Sequence, residues 1–154
     1  MGRLVLLLAV FLTGGTALAY EIAWTRGLVL VLGSTATTTA VVLAAFVGAL
    51  GLGARWGGGL ADRSPRPLRL YGLLELAAAL WAELALGLAG LLLTTYAAIA
   101  GPLPGALRLV LRIGIAAIVV APGAFLLGAT LPALVRHWVG IRTDETARGT
   151  AWLY

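Results

Sequence analysis

The chain contains no cysteine and no lysine, and it has a single histidine, His137. Without cysteine there is no disulfide framework and no thiolate metal site. One imidazole does not build a metal site by itself. Without lysine there is no Walker-type phosphate loop, and no glycine-rich segment stands in a strand–helix setting. No Ser/His/Asp set presents itself, and no long alternating pattern marks a sheet. Charge is scarce as well: 11% of residues are charged, against roughly 25% in a soluble domain.

What is present is apolar. The chain has 154 residues and is 61% hydrophobic, with a mean hydropathy of +1.02. Such a chain has lipid, not water, as its main solvent. The net charge of +5 would point to nucleic acid in a soluble protein. Here the arginines read as topology determinants flanking membrane helices, so the bilayer is the expected partner and nucleic acid is not. All of the basic residues are Arg, and Ala, Gly and Leu dominate the rest, which fits a GC-rich bacterial genome.

A hydrocarbon core of ~30 Å takes ~20 helical residues to cross. Four segments reach that length, so the expected fold is all-α, a polytopic bundle forming one module over residues 1–154. The first helix is expected from about Leu4 to about Trp24. Met1-Gly2-Arg3 and Ala17-Leu18-Ala19 resemble a signal peptide with its cleavage site. The apolar character continues past them to Glu21 and resumes at Gly27, which favours a retained membrane helix. Thr25 to Gly33 reads as an interfacial turn or splayed end. The second helix is expected from Ser34 to Leu60, the third from Leu68 to Leu93 and the fourth from Ala106 to Trp138, kinked at Pro122. Gly101-Pro102-Leu103-Pro104-Gly105 breaks the chain between the last two. Gly140 to Gly149, with Asp144 and Glu145, reads as a polar loop. At Thr150-Ala151-Trp152-Leu153-Tyr154 apolar character returns, as if a further helix began there, so the chain reads as a fragment of something longer.

The stretch Gly48–Arg69 organises this plan. Ala45, Ala49, Gly53 and Gly57 recur at every fourth position, a strip of small residues that lets another helix backbone approach closely. Gly59-Leu60-Ala61-Asp62-Arg63 and Ser64-Pro65-Arg66-Pro67 then stop the helix and turn the chain. With the N-terminus inside, Arg3, Arg55, Arg63, Arg66, Arg69, Arg136, Arg142 and Arg148 lie on the cytoplasmic side, against Arg26, Arg108 and Arg112 outside. That is the positive-inside bias of a bacterial inner-membrane protein.

Ionisable side chains within a span are costly and default to functional candidates. Glu75 and Glu83 lie in the third helix, in a series Tyr71, Glu75, Ala79, Glu83, Gly87 at four-residue spacing. They read as a substrate or proton site lined by a polar stripe, or as hydrogen bonds between helices. Glu75, with Tyr71 one turn away, is the expected anionic contact for a cationic substrate. Tyr20, Glu21, Trp24 and Arg26 cluster at the outer end of the first helix and read as an aromatic belt with an interfacial ion pair, or with Glu21 as a further substrate contact beside Glu75, Glu83 and Tyr71. Arg108 and Arg112 are expected to snorkel to head groups, and His137 to be interfacial.

Tyr20-Glu21-Ile22-Ala23-Trp24-Thr25-Arg26, Leu32-Gly33-Ser34 and Gly59-Leu60-Ala61-Asp62-Arg63 resemble blocks in the membrane-embedded N-terminal region of bacterial spermidine synthase-like proteins, described as fused major-facilitator and spermidine-synthase proteins. Leu70–Leu76, Leu127-Gly128-Ala129-Thr130-Leu131-Pro132 and Trp152-Leu153-Tyr154 look like further blocks in the same order. The Asp62-Arg63 loop is also similar to the major-facilitator signature, with Pro65 where that signature carries Gly. The resemblance implies a major-facilitator-like half of six or seven helices, followed by a soluble aminopropyltransferase domain taking decarboxylated S-adenosylmethionine and putrescine. None of that domain's motifs lies in these residues, so no catalytic residue is assigned and no cofactor is expected here. The module itself would anchor the enzyme or handle a polyamine. The alternatives are part of a major-facilitator-like transporter, or a structural subunit of a membrane complex.

Overall fold

A computed structural model describes residues 3–32 and 36–151. The fold is all-α. Among the described residues there are four helices: α1 (Arg3–Leu32), α2 (Ala36–Arg63), α3 (Pro67–Ile99) and α4 (Gly105–Ala151). Each is long and apolar enough to cross a membrane.

Three helix ends differ from the sequence expectation. Thr25 to Leu32 is not a turn; it continues α1. Gly27 is its one breaker, and a lone glycine costs only ~1 kcal/mol in a helix interior. The segment Gly140 to Gly149 is not a loop; it continues α4 through Asp144 and Glu145. Charge by itself does not end a helix, and no proline follows Pro132 to do so. α3 runs on to Ile99 and stops at the Gly101–Pro104 turn, where the Leu103 amide donates to the Ala100 carbonyl at 3.2 Å. Ser34, Gly33 and Trp152-Leu153-Tyr154 lie outside the described residues, so the block Leu32-Gly33-Ser34 is described only at Leu32.

The turn between α2 and α3 is short. The Arg66 amide donates to Ser64 Oγ at 3.3 Å, and Pro67 opens α3 at its first position, where a missing N–H costs nothing.

α4 is the hub. It packs most extensively on α2, then on α3, while α1 rests more lightly on the other helices. The α2–α4 crossing is built from glycine. A Cβ on Gly53 would overlap the Phe125 carbonyl, and one on Gly128 would overlap the Leu50 carbonyl. A Cβ on Gly57 would stand 2.6 Å from Ala129 Cα. The backbones therefore touch directly, with no side chain between them. Ala49 on α2, and Ala129 and Ala133 on α4, are buried along the same seam. Lipid gives no hydrophobic drive for two apolar helices to associate, so this close van der Waals fit is the main attraction.

α4 passes through Pro122 and Pro132 without ending. Pro122 has no N–H to give to the carbonyl one turn before it, and its ring crowds that turn. The next carbonyl along, that of Val119, takes a bond from α3: Trp81 Nε1 donates to it at 3.0 Å. Trp81 lies over Gly123, where a Cβ would meet Cδ1 at 3.0 Å. Replacing Trp81 by Phe keeps the ring and removes the donor. We expect a loss of about 1 kcal/mol, read as a lower unfolding midpoint in mixed detergent micelles.

Candidate functional site

Three polar side chains of the spans, Thr13, Tyr71 and Glu75, meet where α1 approaches α3. Thr13, midway along α1, donates from Oγ1 to Glu75 Oε1 at 2.8 Å. The same hydroxyl lies 2.6 Å from the Tyr71 hydroxyl, so Thr13 links Tyr71 and Glu75 of α3. Thr13, Tyr71 and Glu75 are all half-buried. Beside them is a cavity of about 280 Å³, with Thr13, Tyr71, Leu50, Gly128 and Thr130 in its wall. Thr130 is fully buried, and its hydroxyl donates back to the Leu127 carbonyl at 2.7 Å.

Glu83 is placed differently. It is exposed on α3 and lines a second groove of about 270 Å³ together with Tyr20, Trp24, Gly27 and Leu28 of α1. Positions spaced by four advance ~400° around a helix, so each step turns ~40°. From Glu75 to Glu83 the series turns ~80°, and it climbs ~12 Å. The four-residue series therefore winds away from the bundle: Tyr71 and Glu75 are half-buried, while Ala79, Glu83 and Gly87 are exposed. The buried face of α3 runs through Leu74, Ala78, Ala82 and Ala85. Both carboxylates still border α1, one through Thr13 and the other across the groove.

No basic side chain lines the Glu83 groove. Among the described residues Glu83 has no hydrogen-bond partner, and no three His, Asp or Glu side chains converge as metal ligands. Glu21 is half-buried and borders neither cavity, and Arg26 is exposed. Its belt companions Tyr20 and Trp24 instead turn into the groove.

Comparison with known proteins finds no matching family model, no matching curated protein and no matching solved structure.

The remaining sequence candidates are scattered. Gly53 and Gly57 form the α2–α4 crossing, while Gly59 is exposed with open space where a Cβ would stand. Asp62 reaches Arg136 of α4 at 3.9 Å; the two side chains are 79% and 46% exposed. A surface pair of that length contributes little. Arg63 is exposed, and Pro132 is half-buried within α4. His137 is half-buried with its Nε2 unpartnered.

Arg112 has a partner within the bundle. Its Nε donates to the hydroxyl of the buried Tyr96 at 2.9 Å, and its guanidinium carbon lies 6.0 Å from that ring's centre. The contact pins the start of α4 to the end of α3, across the Gly-Pro turn. Arg108, one turn earlier, is exposed.

Proposed function

We propose that this chain is the integral-membrane module of a bacterial spermidine synthase-like protein, and that the α1–α3 seam holds a linear polyamine. The observation that carries this reading is the pair of carboxylates on one seam. Glu75 is fixed by Thr13, and Glu83 opens on a groove walled by Tyr20 and Trp24. Two acidic groups ~12 Å apart along a helix suit a flexible chain carrying several ammonium groups. Aromatic walls favour an ammonium further through cation–π attraction. The groove contains no arginine to neutralise Glu83, which leaves that role to a ligand. The family assignment rests on the sequence blocks described above. The synthase domain and its decarboxylated S-adenosylmethionine belong to that resemblance and not to any residue of this chain.

The orientation in this reading has Arg55–Arg69 and Arg136–Arg148 in the cytoplasm of a bacterium, at its inner membrane. Reporter fusions after Arg66 and after Gly101 should read inside and outside, respectively. The reverse pattern overturns the orientation.

One observation favours a second, structural reading. Thr13 supplies the side-chain hydrogen bonds that tie α1 to α3 among the described residues. Glu75 would then serve as a clamp. Glu75→Gln separates the two, because Gln can still accept from Thr13 but carries no charge. Spermidine binding to the chain in nanodiscs, measured by calorimetry, should weaken about tenfold or more, with the unfolding midpoint little changed. Unaltered binding leaves the clamp as the role of Glu75.

A further inference from the structure

A third cavity lies on the opposite side of the bundle, at the arginine-rich end of α2. It is an open groove of about 540 Å³ lined by Leu52, Arg55, Trp56, Gly59, Leu60 and Arg63 of α2 and by Phe125 of α4. The glycine crossing creates it. Because Gly53 brings α2 onto the Phe125 backbone, the Phe125 ring reaches Trp56, their centres 5.4 Å apart and their planes at 43°. These rings and Leu52 make an apolar wall. Arg55 and Arg63 are exposed and stand ~12 Å apart along the helix. Midway between them, Gly59 has no side chain, and nothing lies within 4 Å of where its Cβ would be.

The groove thus has a cationic head and an apolar tail. No carboxylate lines it. Asp62, the neighbour of Arg63, leans to Arg136 instead. Among the described residues neither Arg55 nor Arg63 forms an ion pair. We infer that this groove is a binding site for an anionic phospholipid, with the lipid phosphate between Arg55 and Arg63 over Gly59 and one acyl chain along Leu52, Trp56 and Phe125. Guanidinium groups bind phosphate oxygens through paired, charge-assisted hydrogen bonds. A zwitterionic lipid brings its own ammonium, for which this wall offers no acidic partner. The half-exposed Trp56, at 50%, is the amphipathic ring that favours the headgroup boundary. Basic pockets between membrane helices hold acidic head groups on the same principle.

Fluorescence quenching by brominated lipid tests the site. The chain is placed in nanodiscs of mixed phosphatidylglycerol and phosphatidylcholine, with bromine on the acyl chains of one lipid or the other. The chain has five tryptophans, so the Trp56 signal is taken as the difference from Trp56→Phe. We expect Trp56 to be quenched with about a tenfold preference for brominated phosphatidylglycerol. Arg55→Gln with Arg63→Gln should abolish that preference. Gly59→Leu, which keeps both charges and enters open space in the fold, should also abolish it by filling the floor. Equal quenching by both lipids overturns the proposal. So does an absence of quenching by either, which would mean that a second copy of the chain or another helix covers the groove. Loss of the preference on adding millimolar glycerol 3-phosphate overturns it too, since the ligand would then be a soluble phosphate.

Discussion

Gly53→Leu should abolish folding of the bundle. A Cβ at this position already overlaps the Phe125 carbonyl, with the carbonyl carbon at 2.7 Å and the Cα at 2.9 Å. The obstacle is backbone, so no rotamer change relieves it. The helices must separate, and separation costs the contacts along the whole α2–α4 seam, including the reciprocal fit of Gly128 on Leu50. Overpacking typically costs about 1–3 kcal/mol where side chains can yield. Here the cost should reach the top of that range or pass it. The readout is the fraction of monodisperse, folded protein recovered in mild detergent. Gly57→Ala should also destabilise, less severely, because the added methyl meets Ala129 Cα at 2.6 Å. Gly48→Ala, Gly51→Ala and Gly58→Ala are the controls, since nothing lies within 4 Å of a Cβ at any of them. Alanine there should leave stability unchanged or raise it by up to ~1 kcal/mol through helix propensity. If Gly53→Leu yields as much folded protein as the controls, the close crossing of α2 and α4 is wrong.

The second large effect concerns charge on the α1–α3 seam. Spermidine should bind the chain more tightly than butylamine, because a single ammonium satisfies only one of two carboxylates ~12 Å apart. A hydrogen bond to a charged group contributes about 1.5–3 kcal/mol, so the second contact should add at least about tenfold in affinity. Glu83→Gln should reduce spermidine to roughly the affinity of the monoamine. Trp24→Leu should weaken both amines by a few-fold, as expected for the loss of a cation–π wall worth about 0.5–1 kcal/mol. Gln at position 83 should not harm the fold, since Glu83 is exposed and has no hydrogen-bond partner among the described residues. A variant that destabilises the chain without changing the ratio of the two affinities would argue for a structural carboxylate.

The helices were legible in the sequence because a membrane span is a composition statement. Long apolar runs between Pro- and Arg-bearing turns announce themselves without knowledge of neighbours. The small-residue strip from Ala45 to Gly57 was legible for the same reason, since its spacing is a property of one helix. Its partner was not. That Gly53 meets Phe125 and Gly128 meets Leu50 depends on the register of two helices far apart in the chain.

The polar site divides in the same way. Glu75 and Tyr71 stood out as costly groups in a span, but Thr13 did not. A threonine in a membrane helix most simply bonds its own backbone, as Thr94 and Thr95 do with the Leu91 carbonyl at 2.9 and 2.8 Å. Thr13 reaches across to α3 instead, and only the approach of α1 decides that. The four-residue series put Glu75 and Glu83 on one side of the helix, whereas ~40° per step accumulates until one is sheltered and the other exposed. Helix ends failed where polarity was taken for a stop signal: α4 carries its helix through Asp144 and Glu145.

The most direct test of the polyamine seam is calorimetric titration of spermidine into nanodiscs holding either the parent chain or the double variant Glu75→Gln, Glu83→Gln. The two carboxylates predict saturable binding to the parent and a loss of about a hundredfold or more in the double variant, with both proteins unfolding at similar temperatures. Equal affinity for the two proteins, or no binding to the parent, would contradict a polyamine site on this seam.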